Sequence, residues 1–185
     1  VKVEIRHATL RDLCYTAATA REIDKKELLH SGPRTLQQAG AMTFYLVHAV
    51  GGAAYCVTVD GNPEFVFGFA RQSEYMPWLF SGWAWGSEKT NLCMPKIASW
   101  AHDHLLDVLD VLGAERIEAR SIHDHHDAHR WLEWMGFKLE TKLPGWGKDG
   151  ELFYLFAWVK SEFDAGRLRG IARSAAVAKT HPPVG

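Results

Sequence analysis

The tetrapeptide Asp60-Gly61-Asn62-Pro63 constrains this chain more than any other short stretch. Asp and Gly tolerate the left-handed backbone that a tight hairpin turn demands. Apolar-rich runs flank it, Ala53 to Val59 and Glu64 to Ala70, and together they predict an antiparallel hairpin spanning 54–68. Such a hairpin must bury its faces against further elements, and the rest of the chain supplies them. Val1 to Arg6 alternates as a short strand. Thr9 can cap a helix from Leu10 to about His30, with Asp12 in capping-box position. Gly32 and Pro33 interrupt, a second short helix is predicted near Thr35 to Gln38, and Phe44 to Val50 is a further regular run. Leu79 to Trp85 reads as a strand. From Met94 to about Leu112 the pattern is amphipathic, with Ile97, Trp100, Ala101, His104, Leu105, Val108 and Val111 on one face. Pro95 suits the first turn of that helix and Gly113 its end. Arg116 to Ile122 is a strand, Asp124 to Met135 a helix stopped by Gly136, and Phe137 opens another strand. A Pro/Gly loop through Gly150 leads to a last strand, Glu151 to Val159.

This order predicts one α/β domain over 1–159 with a mixed sheet. Residues 160–185 have no comparable apolar period and read as a C-terminal extension ordered by a partner. The chain has 185 residues, 47% of them hydrophobic, enough for a core without metals or disulfides. A formal net charge of -1 argues against general attraction to nucleic acid or anionic membrane. Cys14, Cys56 and Cys93 are odd in number and far apart, which suits a reducing compartment. The first residues do not read as a signal peptide, and every apolar stretch is broken well before twenty residues, so no membrane span is expected.

The element order, together with HDAHRWLEWMGFKLE at 126–140, resembles the GCN5-related N-acetyltransferase fold, a mixed, mostly antiparallel central sheet flanked by helices. That family often ends its last long helix with Asn-x-x-Ala-x-x-Phe-Tyr-x-x-x-Gly-Phe. On this chain the positions hold His125, Ala128, Trp131, Leu132, Gly136 and Phe137. Ile5-Arg6-His7-Ala8-Thr9 with Asp12 is similar to the family's first strand and turn, and the likeness covers roughly residues 3–159.

Two departures bear on activity. The family holds the pyrophosphate of acetyl-CoA on backbone amides of a Gly-rich loop ahead of its long central helix. Here that segment is Ser87-Glu88-Lys89-Thr90-Asn91-Leu92-Cys93-Met94-Pro95, which has no glycine and carries an acid. Ser87, Lys89, Thr90 and Asn91 are the candidates left to meet a phosphate. The family's tyrosine, which protonates the leaving thiolate, is replaced by Leu132, which has no proton to give. The pattern from Trp131 to Phe156 is most similar to small internal virion proteins of short-tailed, T7-like phages. That resemblance implies a virion-associated structural, assembly or ejection role without catalysis, in the virion and in the host cytoplasm during assembly. Partners would be other virion proteins or further copies of the chain, and no cofactor would be needed. The alternative is an acetyl-CoA-dependent N-acyltransferase acting on an amine or protein.

Were the chain active, Glu64, Glu118 or His125 could serve as the base. His125 and His129, four residues apart, share a helix face and could bind a zinc ion, although the HExxH signature is absent and solvated or packing histidines read better. Cys93, near a helix start, could have a lowered pKa. Eight tryptophans is a high count, and Trp83 and Trp85, with Arg167, Arg169 and Arg173, are the expected interface residues.

Overall fold

The computed structural model describes residues 1–162. The chain runs β1 (Val3–His7), α1 (Leu10–Ala18), α2 (Glu22–His30), α3 (Leu36–Val50), β2 (Gly52–Val59), β3 (Asn62–Ser73), β4 (Met76–Gly86), α4 (Thr90–Leu112), β5 (Arg116–Ile122), α5 (His126–Trp134), β6 (Lys138–Leu143) and β7 (Phe153–Val159). Seven strands form one sheet in the order β1-β2-β3-β4-β5-β7-β6. Every pairing is antiparallel except β4 with β5. The expectation of a mixed, mostly antiparallel sheet between helices is met.

The hairpin holds as read. Asp60 and Gly61 take φ values of 50° and 85°, the paired left-handed turn that only such residues adopt cheaply. Both strands run longer than predicted, because β3 is paired on each side and buried along most of its length. Thr9 and Asp12 form the predicted capping box.

The first helix is two helices rather than one. Ala20 is buried and the Arg21 amide donates to the Gly86 carbonyl at 2.9 Å, so packing breaks a segment whose sequence contains no breaker. Thr35 caps a helix far longer than the predicted 35–38. Gly40 lets α3 lie directly on α1, since a Cβ there would sit 2.7 Å from the Cys14 backbone. Helix α4 starts a turn earlier than predicted, so Pro95 lies inside it, where it cannot donate to the Asn91 carbonyl. Asp124 does not cap α5; its carboxylate pairs with Lys26 of α2.

Core packing divides by sheet face. Helices α4 and α5 cover Phe80, Ile117, Phe156 and Trp158 on one face. Helices α1, α2 and α3 cover Cys56, Val66 and Trp85 on the other. Among the described residues no helix is long and apolar enough to cross a membrane.

Two predictions follow from local geometry. Burial by itself would raise the Asp12 pKa, but the Arg6 guanidinium at 2.6 Å and 2.8 Å and the Thr9 donors overcome it and hold the carboxyl at about 2 against 3.8. A depressed folded pKa gives stability that is complete above the unfolded value and is lost as pH falls from about 4 toward 2. Asp12→Asn should lower stability at neutral pH by about 1–2 kcal/mol and flatten the fall in Tm over that acid window; an unchanged acid limb would refute the assignment. Gly68 pairs across the sheet with Trp83, whose indole lies over it, and a Cβ there would meet Trp83 Cζ2 at 2.5 Å. Gly68→Val should cost about 1–3 kcal/mol in urea unfolding and change the near-UV circular dichroism of the displaced indole.

Candidate active site at the split between β4 and β5

Strands β4 and β5 pair only through Leu79–Arg116, Phe80–Ile117 and Ser81–Glu118. Beyond that point they separate, and Gly82–Gly86 faces Ala119–Ile122 across a cavity of about 650 Å³. The split is closed at its far end by α2. Asp24 Oδ2 lies 3.4 Å from the Gly86 amide at the end of β4. Glu27 Oε2 accepts from the Ile122 amide at 2.9 Å and the Ser121 hydroxyl at 2.8 Å, at the end of β5. Backbone donors that a continuous sheet would pair are satisfied instead by two carboxylates one helical turn apart.

His125 sits among these groups at the start of α5 and is only 5% exposed. Its Nδ1 lies 3.2 Å from Glu27 Oε2. A carboxylate has no proton to give, so Nδ1 carries the proton of this hydrogen bond. Nε2 has no hydrogen-bond partner among the described residues and lies 3.5 Å from Asp24 Oδ1. Asp24 is nearly buried too; burial raises its pKa, with the Arg21 guanidinium at 2.7 Å opposing the rise. The buried ring thus stands between two carboxylates, one of which, Asp24, is also held by Arg21.

One side of the cavity lies under α4 and α5 and is lined by Ile97, Trp100, Trp131 and Leu132. The other lies under α2 and α3 and is lined by Leu28, Met42, Leu46, Trp83 and Trp85. Leu132 belongs to the core and adds no proton donor.

The turn from β4 into α4 is closed upon itself. The Ser87 amide donates to the Glu64 carbonyl at 2.8 Å, the Thr90 amide to the Ser87 carbonyl at 3.0 Å, and the Lys89 amide to Ser87 Oγ at 3.1 Å. The Glu64 carboxylate is buried there, accepting from Ser87 Oγ at 2.5 Å and pairing with Lys89 Nζ at 2.7 Å. It holds the place at the helix N-terminus that an external anion would take.

The sequence candidates thus separate. His125 lies in the cavity wall. Glu64 does not; it anchors Ser87 and Lys89, which are therefore not free for phosphate. Thr90 is buried with its hydroxyl on the Ser87 carbonyl, and Asn91 is exposed in the first turn of α4. Glu118 accepts from Gln72 and pairs with Arg116 and Arg120. Burial opposes its ionisation, but these partners hold its pKa below normal, which makes it a poor base. His129 Nε2 lies 3.0 Å from the Ile122 carbonyl and its ring stacks on Tyr154, so it does not converge with His125 on a metal. Cys93 is not activated; burial pushes its thiol up to about 11. Trp83 and Trp85 line the cavity, and Trp85 is only 2% exposed. Arg167, Arg169 and Arg173 lie outside the described residues. Asp24, Glu27 and Ser121 escaped the sequence reading, and the only signal for the acids was their spacing on one helix face.

No protein-family model and no curated protein sequence matches the chain. Solved structures do. An N-acetyltransferase from Staphylococcus aureus Mu50 is 13% identical, with 86% of this chain and 99% of that one covered at a TM-score of 0.67. Mycobacterium smegmatis RimJ in complex with CoA-disulfide is 19% identical, with 92% and 90% covered at a TM-score of 0.65. The aminoglycoside acetyltransferase AAC(6')-Ib in complex with coenzyme A is 14% identical, with 86% and 96% covered at a TM-score of 0.60. These matches overturn the expectation of a non-catalytic virion component, because the Staphylococcus aureus protein and AAC(6')-Ib are acetyltransferases, RimJ holds a coenzyme A disulfide, and none of the three is a virion protein. At such identities the likeness is one of architecture, and what it establishes is that this chain has the GCN5-related N-acetyltransferase-like fold.

Proposed function

We propose that this chain is an N-acyltransferase that moves an acyl group from a coenzyme A thioester to an amine within the β4–β5 split. The observation that carries the reading is His125, buried in the cavity wall with Nδ1 on Glu27 and Nε2 unpartnered among the described residues. The coenzyme fits in part. The split offers an apolar channel and two strand stretches that do not pair with each other, Gly82–Trp85 and Ala119–Ser121, whose backbone groups suit the amides of a pantetheine arm. The β4–α4 turn fits a diphosphate poorly, because its Ser87, Lys89 and Thr90 amides are bonded internally and the Glu64 carboxylate pairs with Lys89 beside them. Affinity would then come chiefly from the pantetheine arm.

A bound thioester supplies an acyl carbon whose bond to sulfur breaks as its bond to the amine nitrogen forms. The protein's own contribution is proton handling and exclusion of water. His125 Nε2, in the neutral ring, takes the first proton, which turns the bound ammonium into a nucleophilic amine, while Glu27 holds Nδ1–H and offsets the charge on the ring. The second proton leaves the nitrogen as the C–N bond forms and goes to the departing thiolate. Asp24, facing Nε2 across 3.5 Å, attracts the ammonium form of the acceptor into that gap. Trp100, Trp131 and Leu132 keep the channel dry.

Thiol release from acetyl-CoA in the presence of amines tests the reading. His125→Gln should lower kcat by about 10²–10⁴-fold while leaving the melting transition cooperative. No thiol release with any amine, or a full rate in His125→Gln, would refute it.

A further inference from the structure

Resting on that reading, we infer that the acceptor is a primary amine with an aromatic body, bound in the half of the cavity between α3 and β4. Helix α3 presents Met42, Tyr45, Leu46 and Ala49 at positions i, i+3, i+4 and i+7 along this half. The three large residues are 53%, 62% and 48% exposed, an apolar stripe that the sheet's own packing leaves uncovered. Opposite them, Trp83 lies flat over Gly68 with its ring centroid 5.0 Å from that of Trp85. A planar apolar body fits between such a wall and such a stripe.

Polar atoms at the two ends define what that body carries. At the inner end, the buried His125 ring stands between the Asp24 and Glu27 carboxylates, its Nε2 unpartnered among the described residues, with Arg21 3.2 Å from Asp24 Oδ1. A donor-rich, positively charged ammonium group satisfies this end, and a carboxylate would be repelled by it. Along the wall, the indole Nε1 atoms of Trp83 and Trp85 are buried with no acceptor among the described residues. A buried donor left unpaired is costly, so an oxygen on the ligand's ring would be favoured. The structure thus selects against small polar amines, which leave the stripe bare, and against apolar acids, which lack the ammonium.

The test uses tyramine as the probe with the full chain and no acyl donor, so binding is read apart from transfer. Tryptophan fluorescence excited at a wavelength tyramine does not absorb should change saturably. Ethanolamine and 4-hydroxyphenylacetate should bind at least about tenfold more weakly, since each lacks one of the two recognised features. Leu46→Asp alters an exposed position, so the variant should fold, and it should weaken tyramine about tenfold or more. Equal binding of ethanolamine, equal binding of the acid, or an unaffected Leu46→Asp would each overturn the inference. Tyramine binding without any acyl transfer would sustain this site and sink the acyltransferase reading. Transfer to small polar amines with no tyramine binding would do the reverse.

Discussion

Two carboxylates on one turn of α2 hold open the feature on which everything else depends. Strands β4 and β5 begin as paired neighbours, and their continued pairing would close the sheet. Asp24 takes the Gly86 amide and Glu27 takes the Ile122 amide, so each strand end finds its partner on a helix instead of on the other strand. Removing either carboxylate would strand a buried donor at a cost of about 1–3 kcal/mol, which is why the split is a stable part of the fold. The same carboxylates set the chemistry. Glu27 orients His125, and Asp24 stands across from its free nitrogen. Structure and proton handling thus share one set of atoms.

A third carboxylate accounts for how the site departs from the Gly-rich phosphate loop of the family it resembles. Glu64 is buried at the start of α4, where the helix dipole, Ser87 and Lys89 all favour a negative charge. Supplying that charge from within stabilises a turn that has no glycine, and it closes the place to an external anion. What remains is a single cavity with one wall under α4 and α5, another under α3 and Trp83, and His125 in its lining, which the proposed thioester and amine would share.

Much of the architecture was legible in the sequence because local chemistry and packing agreed. Asp60-Gly61 fixed the hairpin turn, Thr9 with Asp12 the first helix start, and Gly113 and Gly136 the two helix ends, both with positive φ. The break between α1 and α2 was not legible, because no residue near Ala20 disfavours helix; it arises from a hydrogen bond to a strand 65 positions away (Arg21 to Gly86). The site was legible only in part for the same reason. His125 stood out in a histidine-rich stretch, yet nothing local distinguishes it from His129, and only the fold places Glu27 beside one and a backbone carbonyl beside the other. Glu64 looked like a base because it lies on a central strand, but its strand position aims it at the α4 start. Leu132 has no proton to give, and although the sequence offered His125 as a candidate base, only the fold puts it in the cavity wall.

The central claim is that the split binds the pantetheine end of a thioester while the β4–α4 turn contributes little to the diphosphate. Calorimetric titration with acetyl-CoA, set beside acetyl-pantetheine, which lacks the diphosphate and nucleotide, tests it most directly. The account predicts that both bind and that their Kd values lie within about tenfold, a difference of about 1.4 kcal/mol. Tight binding of acetyl-CoA with none of acetyl-pantetheine would mean the turn opens to cradle phosphate after all, and binding of neither would mean the split is not a thioester site.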